Sequence, residues 1–127
     1  EMLAAAREQG LFVLLEAFDE PDLERAAGLA AGGADPAAPV LVGVNTRDLR
    51  TLAVDPERLA RLAPHLPAGI AAVAESGLHT PADAAAAAAL GYRLALVGTA
   101  LMRAADPERL AADMLAAGRR TVTEGAA

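Results

Sequence analysis

The stretch IAAVAESGLHTP, residues 70–81, decides the fold. An apolar segment typical of a buried strand ends abruptly in Glu75-Ser76-Gly77, and a helix start follows at once. Thr80 is a suitable capping residue, and Pro81 suits the first helical turn because it needs no hydrogen-bond donor there. The stretch therefore predicts a strand, a polar loop and a helix in that order. Ligands bind at such strand ends in parallel α/β folds.

The same pattern occurs four times along the chain. Segments 12–17, 40–45, 70–75 and 93–97 are short and almost continuously apolar, which is typical of parallel strands covered on both faces. Helices are predicted to start at Asp19, Asp55, Thr80 and Asp106, each followed within two residues by a proline. Their predicted ends lie near residues 31, 64, 91 and 118. A short helical turn is also predicted over residues 101–103.

These repeats predict an α/β fold of four successive βα units, written (βα)₄. A complete (βα)₈ TIM barrel needs about 250 residues, so a 127-residue chain corresponds to about half a barrel. We interpret residues 1–10 as the end of a preceding helix, 11–119 as the four units, and 120–127 as a frayed tail. Residues 32–39 are expected to form a loop. Because the first helix has no capping residue, the sequence is expected to start within a larger protein.

Composition excludes several classes of function. The net charge of −6 and the 2% aromatic content argue against nucleic acid or an anionic membrane as partner. No cysteine is present, and the two histidines are far apart in sequence, so no metal site is expected. No apolar run approaches the length of a membrane span, and no signal peptide is visible. We expect a cytoplasmic protein.

All 11 basic residues are arginines, so the chain contains no lysine. It can therefore form no Schiff base and offers no titratable ammonium group as a general acid. The arginines of the helices, Arg58 and Arg61 among them, are expected on solvated faces or paired with nearby acids.

Polar residues end three of the four predicted strands. They are Glu16, Asn45, and Glu75 with Ser76. Burying a lone carboxylate is costly unless it is paired, so a shared pocket explains these residues better than chance. Glu16 could instead cap a neighbouring helix, and Asn45 could simply shape a turn. Ser76 lies in no G-x-S-x-G motif, which argues against a nucleophilic serine.

The last two strand-to-helix loops suggest a phosphate site. Gly77 and Gly98 expose backbone N–H groups, and Thr99 or Ala100 begins a helical turn. Phosphate sites of βα barrels commonly use the last two such loops.

Four segments together carry a family resemblance. They read LLEAFDE (14–20), VGVNTRDL (42–49), VAESGLHT (73–80) and LVGTALM (96–102). In this order and spacing the chain, from about residue 11 to residue 119, resembles the fifth to eighth βα units of indole-3-glycerol phosphate synthase. That family converts a carboxyphenylamino-deoxyribulose phosphate into indole-3-glycerol phosphate, with loss of CO₂ and water, in tryptophan biosynthesis. The resemblance implies a carbon–carbon lyase that uses no cofactor or metal.

The resemblance also implies roles for individual residues. Glu16 would act in acid–base chemistry during dehydration, and Asn45 would orient the substrate and neighbouring polar groups. Glu75 would bind a substrate hydroxyl, and Ser76 would hold polar groups of the substrate. The remaining implied residues are Gly77, Gly98 and Thr99, which would cradle the phosphate, and Arg47, which would brace the loop after the second strand.

The chain departs from the family in lacking the lysines that the family places in the first half of the barrel. We therefore expect it to form the C-terminal half of a synthase, to be inactive alone, and to have the missing N-terminal half-barrel as its partner. Two alternatives remain open: a non-catalytic phosphate-binding half-barrel, and a related phosphate-handling barrel enzyme with another substrate.

Overall fold

A computed structural model describes residues 1–31 and 39–125 of the chain. Residues 32–38, which hold most of the expected loop, and residues 126–127 lie outside the described part. Helices and parallel strands alternate along the described part of the chain. The elements in chain order are α1 Met2–Glu8, β1 Val13–Ala17, α2 Glu20–Ala31, β2 Val40–Asn45, α3 Arg58–Leu62, a 3₁₀ turn Ala63–His65, β3 Ala72–Glu75, α4 Pro81–Ala89, β4 Leu94–Leu96, α5 Thr99–Arg103 and α6 Pro107–Gly125.

The four strands form one parallel sheet in the order β1-β2-β3-β4. Glu16 pairs with Gly43 in the register of β1 and β2, and Asn45 pairs with Glu75 in that of β2 and β3. Within the described residues, β1 and β4 each have a strand neighbour on one side only. Sequential parallel strands with helical connections confirm the predicted α/β half-barrel.

The two faces of the sheet differ in burial. Ala17, Val42, Val44 and Ala74 point to the helices and are fully buried in the hydrophobic core. The residues that alternate with these along each strand point to the other face of the sheet, which in a barrel faces the interior. The leucines of β4 are open on this inner face, with Leu94 and Leu96 exposed to 46% and 57%.

The start of α4 shows the predicted cap. The Thr80 hydroxyl accepts a hydrogen bond from the backbone N–H of Asp83, and the Asp83 carboxylate accepts one from the backbone N–H of Thr80. Pro81 occupies the first turn. Two backbone donors that the helix itself cannot satisfy are thereby paired, which fixes where the loop after β3 ends.

The end of the last helix corrects the sequence-based prediction. Instead of stopping near Gly118, α6 continues to Gly125, so the frayed tail expected from residue 120 is wrong over residues 120–125. Gly118 lies where α6 packs on α4, and a methyl group there would be 3.7 Å from the Ala84 carbonyl oxygen and 3.9 Å from the Ala88 Cβ. Both are ordinary van der Waals distances, so the space would also admit alanine, and Gly118 lies within the packed helix instead of ending it.

Two further features complete the fold. The Tyr92 hydroxyl donates a hydrogen bond of 3.0 Å to the Leu59 carbonyl oxygen and so ties the start of the β4 segment to α3. Across residues 1–31 and 39–125, no helix is both long enough and apolar enough to cross a membrane.

Candidate active site

The polar residues predicted at the strand ends come together on the inner face of the sheet. Asn45 and Glu75 are neighbours in the register, and Glu16 lies one row below, opposite Gly43. Asn45 and Glu75 are buried, whereas Glu16 is exposed along the open side of β1. The chain therefore gathers two carboxyl groups and one amide at the C-terminal edge of the sheet.

Asn45 connects this group to the loop that follows β2. Its side-chain Nδ2 donates to Glu16 Oε2 at 3.3 Å, and its Oδ1 accepts from the backbone N–H of Arg47 at 2.9 Å. The second contact fixes which end of the amide faces Glu16, because the oxygen is already used by the loop. Asn45 thus shapes the turn after β2 and also presents a donor to the Glu16 carboxylate.

The carboxyl groups of Glu75 and Glu16 form a pair. Glu75 is 1% exposed. Its burial, the nearby charge of Glu16 and a hydrogen bond with the Glu16 carboxyl together raise the pKa of Glu75 to about 7. Burial and the neighbouring charge both disfavour the ionised form of Glu75. Glu75 can therefore hold a proton near neutral pH, which suits a proton donor.

A cleft of about 220 Å³ lies at the C-terminal ends of β3 and β4. Gly77 and Gly98 line it, together with Ser76, Thr99 and Arg47. The structure thus brings together all three residues expected to hold phosphate. It also adds a basic side chain that sequence reasoning had placed only in a supporting role.

The glycines of the cleft serve different purposes. Ser76 and Gly77 have φ angles of +63° and +74°, so the chain turns sharply after β3 through two left-handed residues. A side chain at Gly77 would also lie 3.0 Å from Thr46 Oγ1. Gly98 has an ordinary φ of −119°, and a methyl group there would meet no atom within 4 Å. Gly77 is needed for the backbone, and Gly98 only leaves open space.

Arg47 contacts the loop that follows β2. Its Nη1 donates to the Leu52 carbonyl oxygen at 2.9 Å, and its backbone pairs with Val54 in an isolated antiparallel bridge. The loop is thereby held against the rim of the cleft.

Three residues that support the site were missed from sequence. Arg58 was expected on a solvated helix face or paired with a nearby acid, and its Nε does lie 3.7 Å from Asp55 Oδ2. Its side chain is only 14% exposed, however, and its Nη1 also donates to the Asn45 carbonyl oxygen at 2.7 Å, a contact that the sequence did not predict. Thr46 is buried and donates to the Glu75 carbonyl oxygen from both its N–H and its hydroxyl. Gly43 lies beneath the Glu75 carboxyl group. A glycine inside an apolar strand was the available signal, since it often marks a close approach.

A larger cleft of about 740 Å³ lies on the other side of β4, between α4 and α6. Its lining is mainly apolar and includes Leu78, Tyr92 and Met114, but none of the predicted site residues. In the part of the chain that the structure describes, no group of three His, Asp or Glu residues could hold a metal ion. The chemistry therefore concentrates at the smaller cleft.

Comparison with known proteins gives consistent matches. The sequence profile of the indole-3-glycerol phosphate synthase family matches residues 1–114. A Parafrankia indole-3-glycerol phosphate synthase is 42% identical over 122 residues, covering 96% of this chain and 42% of the relative. A Nocardioides indole-3-glycerol phosphate synthase is 47% identical over 103 residues, covering 81% of this chain and 36% of the relative. The chain thus spans about two fifths of the length of these curated relatives. A chain in the crystal structure of the Amycolatopsis orientalis BexX/CysO complex is similar, with a TM-score of 0.61 and 28% identity, covering 96% of this chain and 48% of that one.

Proposed function

The chain belongs to the indole-3-glycerol phosphate synthase family, and we propose that it forms the C-terminal half of the catalytic barrel of such an enzyme. The proposed reaction converts 1-(2-carboxyphenylamino)-1-deoxyribulose 5-phosphate into indole-3-glycerol phosphate, with loss of CO₂ and water. The observation that carries this proposal is the convergence of Glu16, Asn45 and Glu75 beside a cleft lined by Gly77 and Gly98.

The carboxyl pair suits the dehydration step. Loss of water requires a proton on the leaving hydroxyl group and a base that accepts a proton from the substrate. Glu16 is proposed as the acid–base group, because its exposed carboxyl is accessible from the barrel interior. Glu75, whose raised pKa lets it hold a proton near neutral pH, is proposed to bind a substrate hydroxyl, and Asn45 holds Glu16 in place through its amide.

The glycine-lined cleft suits the phosphate end of the substrate. Gly77, Gly98 and Thr99 are proposed to cradle the phosphate through backbone N–H groups, and Ser76 to hold neighbouring polar groups. The positive charge of Arg47 at the rim favours an anion. Because Ser76 and Gly77 directly follow Glu75, the phosphate would be held next to the carboxyl pair.

The remaining half of the barrel is the proposed partner. The open edges of β1 and β4 and the exposed inner-face residues Leu94 and Leu96 fit further parallel strands. The resemblance places the catalytic lysines on that other half, and this chain has none. A cytoplasmic location is proposed as well, since a phosphorylated and carboxylated substrate does not cross membranes freely.

A substitution of Glu16 tests the proposal. In the barrel completed with the N-terminal half of the Parafrankia relative, Glu16→Gln is expected to lower kcat by about 10²- to 10⁴-fold, the usual contribution of a general acid–base group. The matched control is Glu24→Gln on the exposed side of α2, which should leave kcat unchanged. Product is followed by indole fluorescence. A Glu16→Gln enzyme with normal kcat would refute the acid–base role.

A further inference from the structure

Gly43 occupies the centre of β2, buried between Glu16 of β1 and Val73 of β3 in the strand register. Its φ is not in the left-handed region, so the backbone conformation does not require glycine there. A methyl group at this position would overlap Oε1 of Glu75 and would lie 3.1 Å from Leu14 Cδ1. The position therefore needs the absence of a side chain for reasons of space.

Strand spacing explains why this space matters. Neighbouring strands lie about 4.8 Å apart, so β1 and β3 are separated by about 10 Å with β2 between them. The side chain of Glu75 must cross β2 before it can reach Glu16. It crosses over Gly43, which is the one residue of β2 in register with Glu16.

We propose that Gly43 is a positioning residue of this site, because the open space above it lets the Glu75 carboxyl group lie over β2, next to Glu16 in the strand register. Its consequence for catalysis rests on the proposed function, but the contact itself does not.

The clash at Gly43 predicts which atoms move when a side chain is added. The nearest atoms belong to the flexible end of Glu75, not to a backbone. Alanine is therefore accommodated by rotation of Glu75 away from β2, while the strand pairing stays in place. The fold survives, and the carboxyl pair separates.

A titration of the carboxyl group tests this directly. With ¹³C-labelled glutamate, the Glu75 side chain is titrated by NMR in the wild type and in Gly43→Ala, in the completed barrel. The titration midpoint of Glu75 is expected to fall in Gly43→Ala, because the carboxyl leaves its buried position beside Glu16. The control is Gly28→Ala on α2, where a methyl group meets no atom within 4 Å and no change is expected. An unchanged midpoint in Gly43→Ala overturns the proposal.

A double-mutant cycle links the geometry to turnover. In the completed barrel, Gly43→Ala is expected to lower kcat about 10- to 100-fold, the range for displacement of a reacting group by about 1 Å. In a Glu75→Ala background, the same substitution should have no further effect, because its target is already absent. An equal loss in both backgrounds overturns the proposal. The NMR titration needs no turnover, so it separates failure of this inference from failure of the proposed function.

Discussion

Replacing Glu75 by glutamine should make the protein more stable at alkaline pH. The folded state holds the proton of Glu75 up to a pKa of about 7, whereas the ordinary value is 4.5. Between these two values the folded state binds more protons than the unfolded state, so this group lowers stability as pH rises from 4.5 to 7. Above about pH 7 the loss of stability caused by Glu75 is complete and no longer changes with pH.

The size of the effect follows from the two pKa values. Each pH unit between them is worth about 1.4 kcal/mol, so the buried Glu75 costs about 3 kcal/mol of unfolding free energy at pH 8. Glutamine has the same shape, carries no charge and can donate an amide hydrogen to Glu16. Glu75→Gln should therefore gain about 3 kcal/mol at pH 8 and almost nothing at pH 4.

Urea denaturation followed by circular dichroism measures this difference. The free energy of unfolding of Glu75→Gln is compared with that of the wild type at several pH values from 4 to 8. The contributions of the other titrating groups cancel in the difference between the two proteins. The control is Glu24→Gln, an exposed carboxylate for which the difference from wild type should not depend on pH. A Glu75→Gln difference that is equally flat between pH 4 and pH 8 would show that Glu75 is not held protonated.

Two other predictions concern the cleft and the sheet edges. In the completed barrel, Gly98→Val should raise KM by blocking the phosphate, with little loss of stability because the added Cβ meets open space. Steady-state kinetics and thermal unfolding measure these two effects. An unchanged KM would contradict the assignment of the phosphate site. As an isolated polypeptide, residues 1–127 should self-associate through the open edges of β1 and β4 and the exposed Leu94 and Leu96. A stable monomer in sedimentation at micromolar concentration would argue against those edges as pairing surfaces.

The strands and their order were predictable because each has a complete local signature. The observed bounds of β2 match the predicted 40–45, and the other strands lie inside their predicted segments. The capping box at Thr80 was also visible, because its partners are only three residues apart. The extension of α6 was not visible, since Gly118 reads as a helix end and its packing on α4 is a long-range contact.

The site was predictable in composition but not in geometry. Polar residues at strand ends pointed to Glu16, Asn45 and Glu75, because buried apolar strands do not otherwise end in such groups. That Glu75 crosses β2 to meet Glu16 depends on side-chain direction and on the space at Gly43, which no local pattern records. The pairing of Arg58 with a nearby acid was expected, but its contact with Asn45 was missed for the same reason, because it joins residues 13 apart.

Complementation tests the central claim most directly. Purified residues 1–127 are assayed for indole-3-glycerol phosphate fluorescence, alone and after co-expression with the N-terminal half of the Parafrankia relative. The resemblance assigns the acid for ring closure to lysines of the other half-barrel; this chain has no lysine, and its arginines stay protonated and cannot replace them. We predict no product from the chain alone and measurable turnover from the completed barrel. Clear turnover by the chain alone, or none from a folded and fully assembled barrel, would contradict the account.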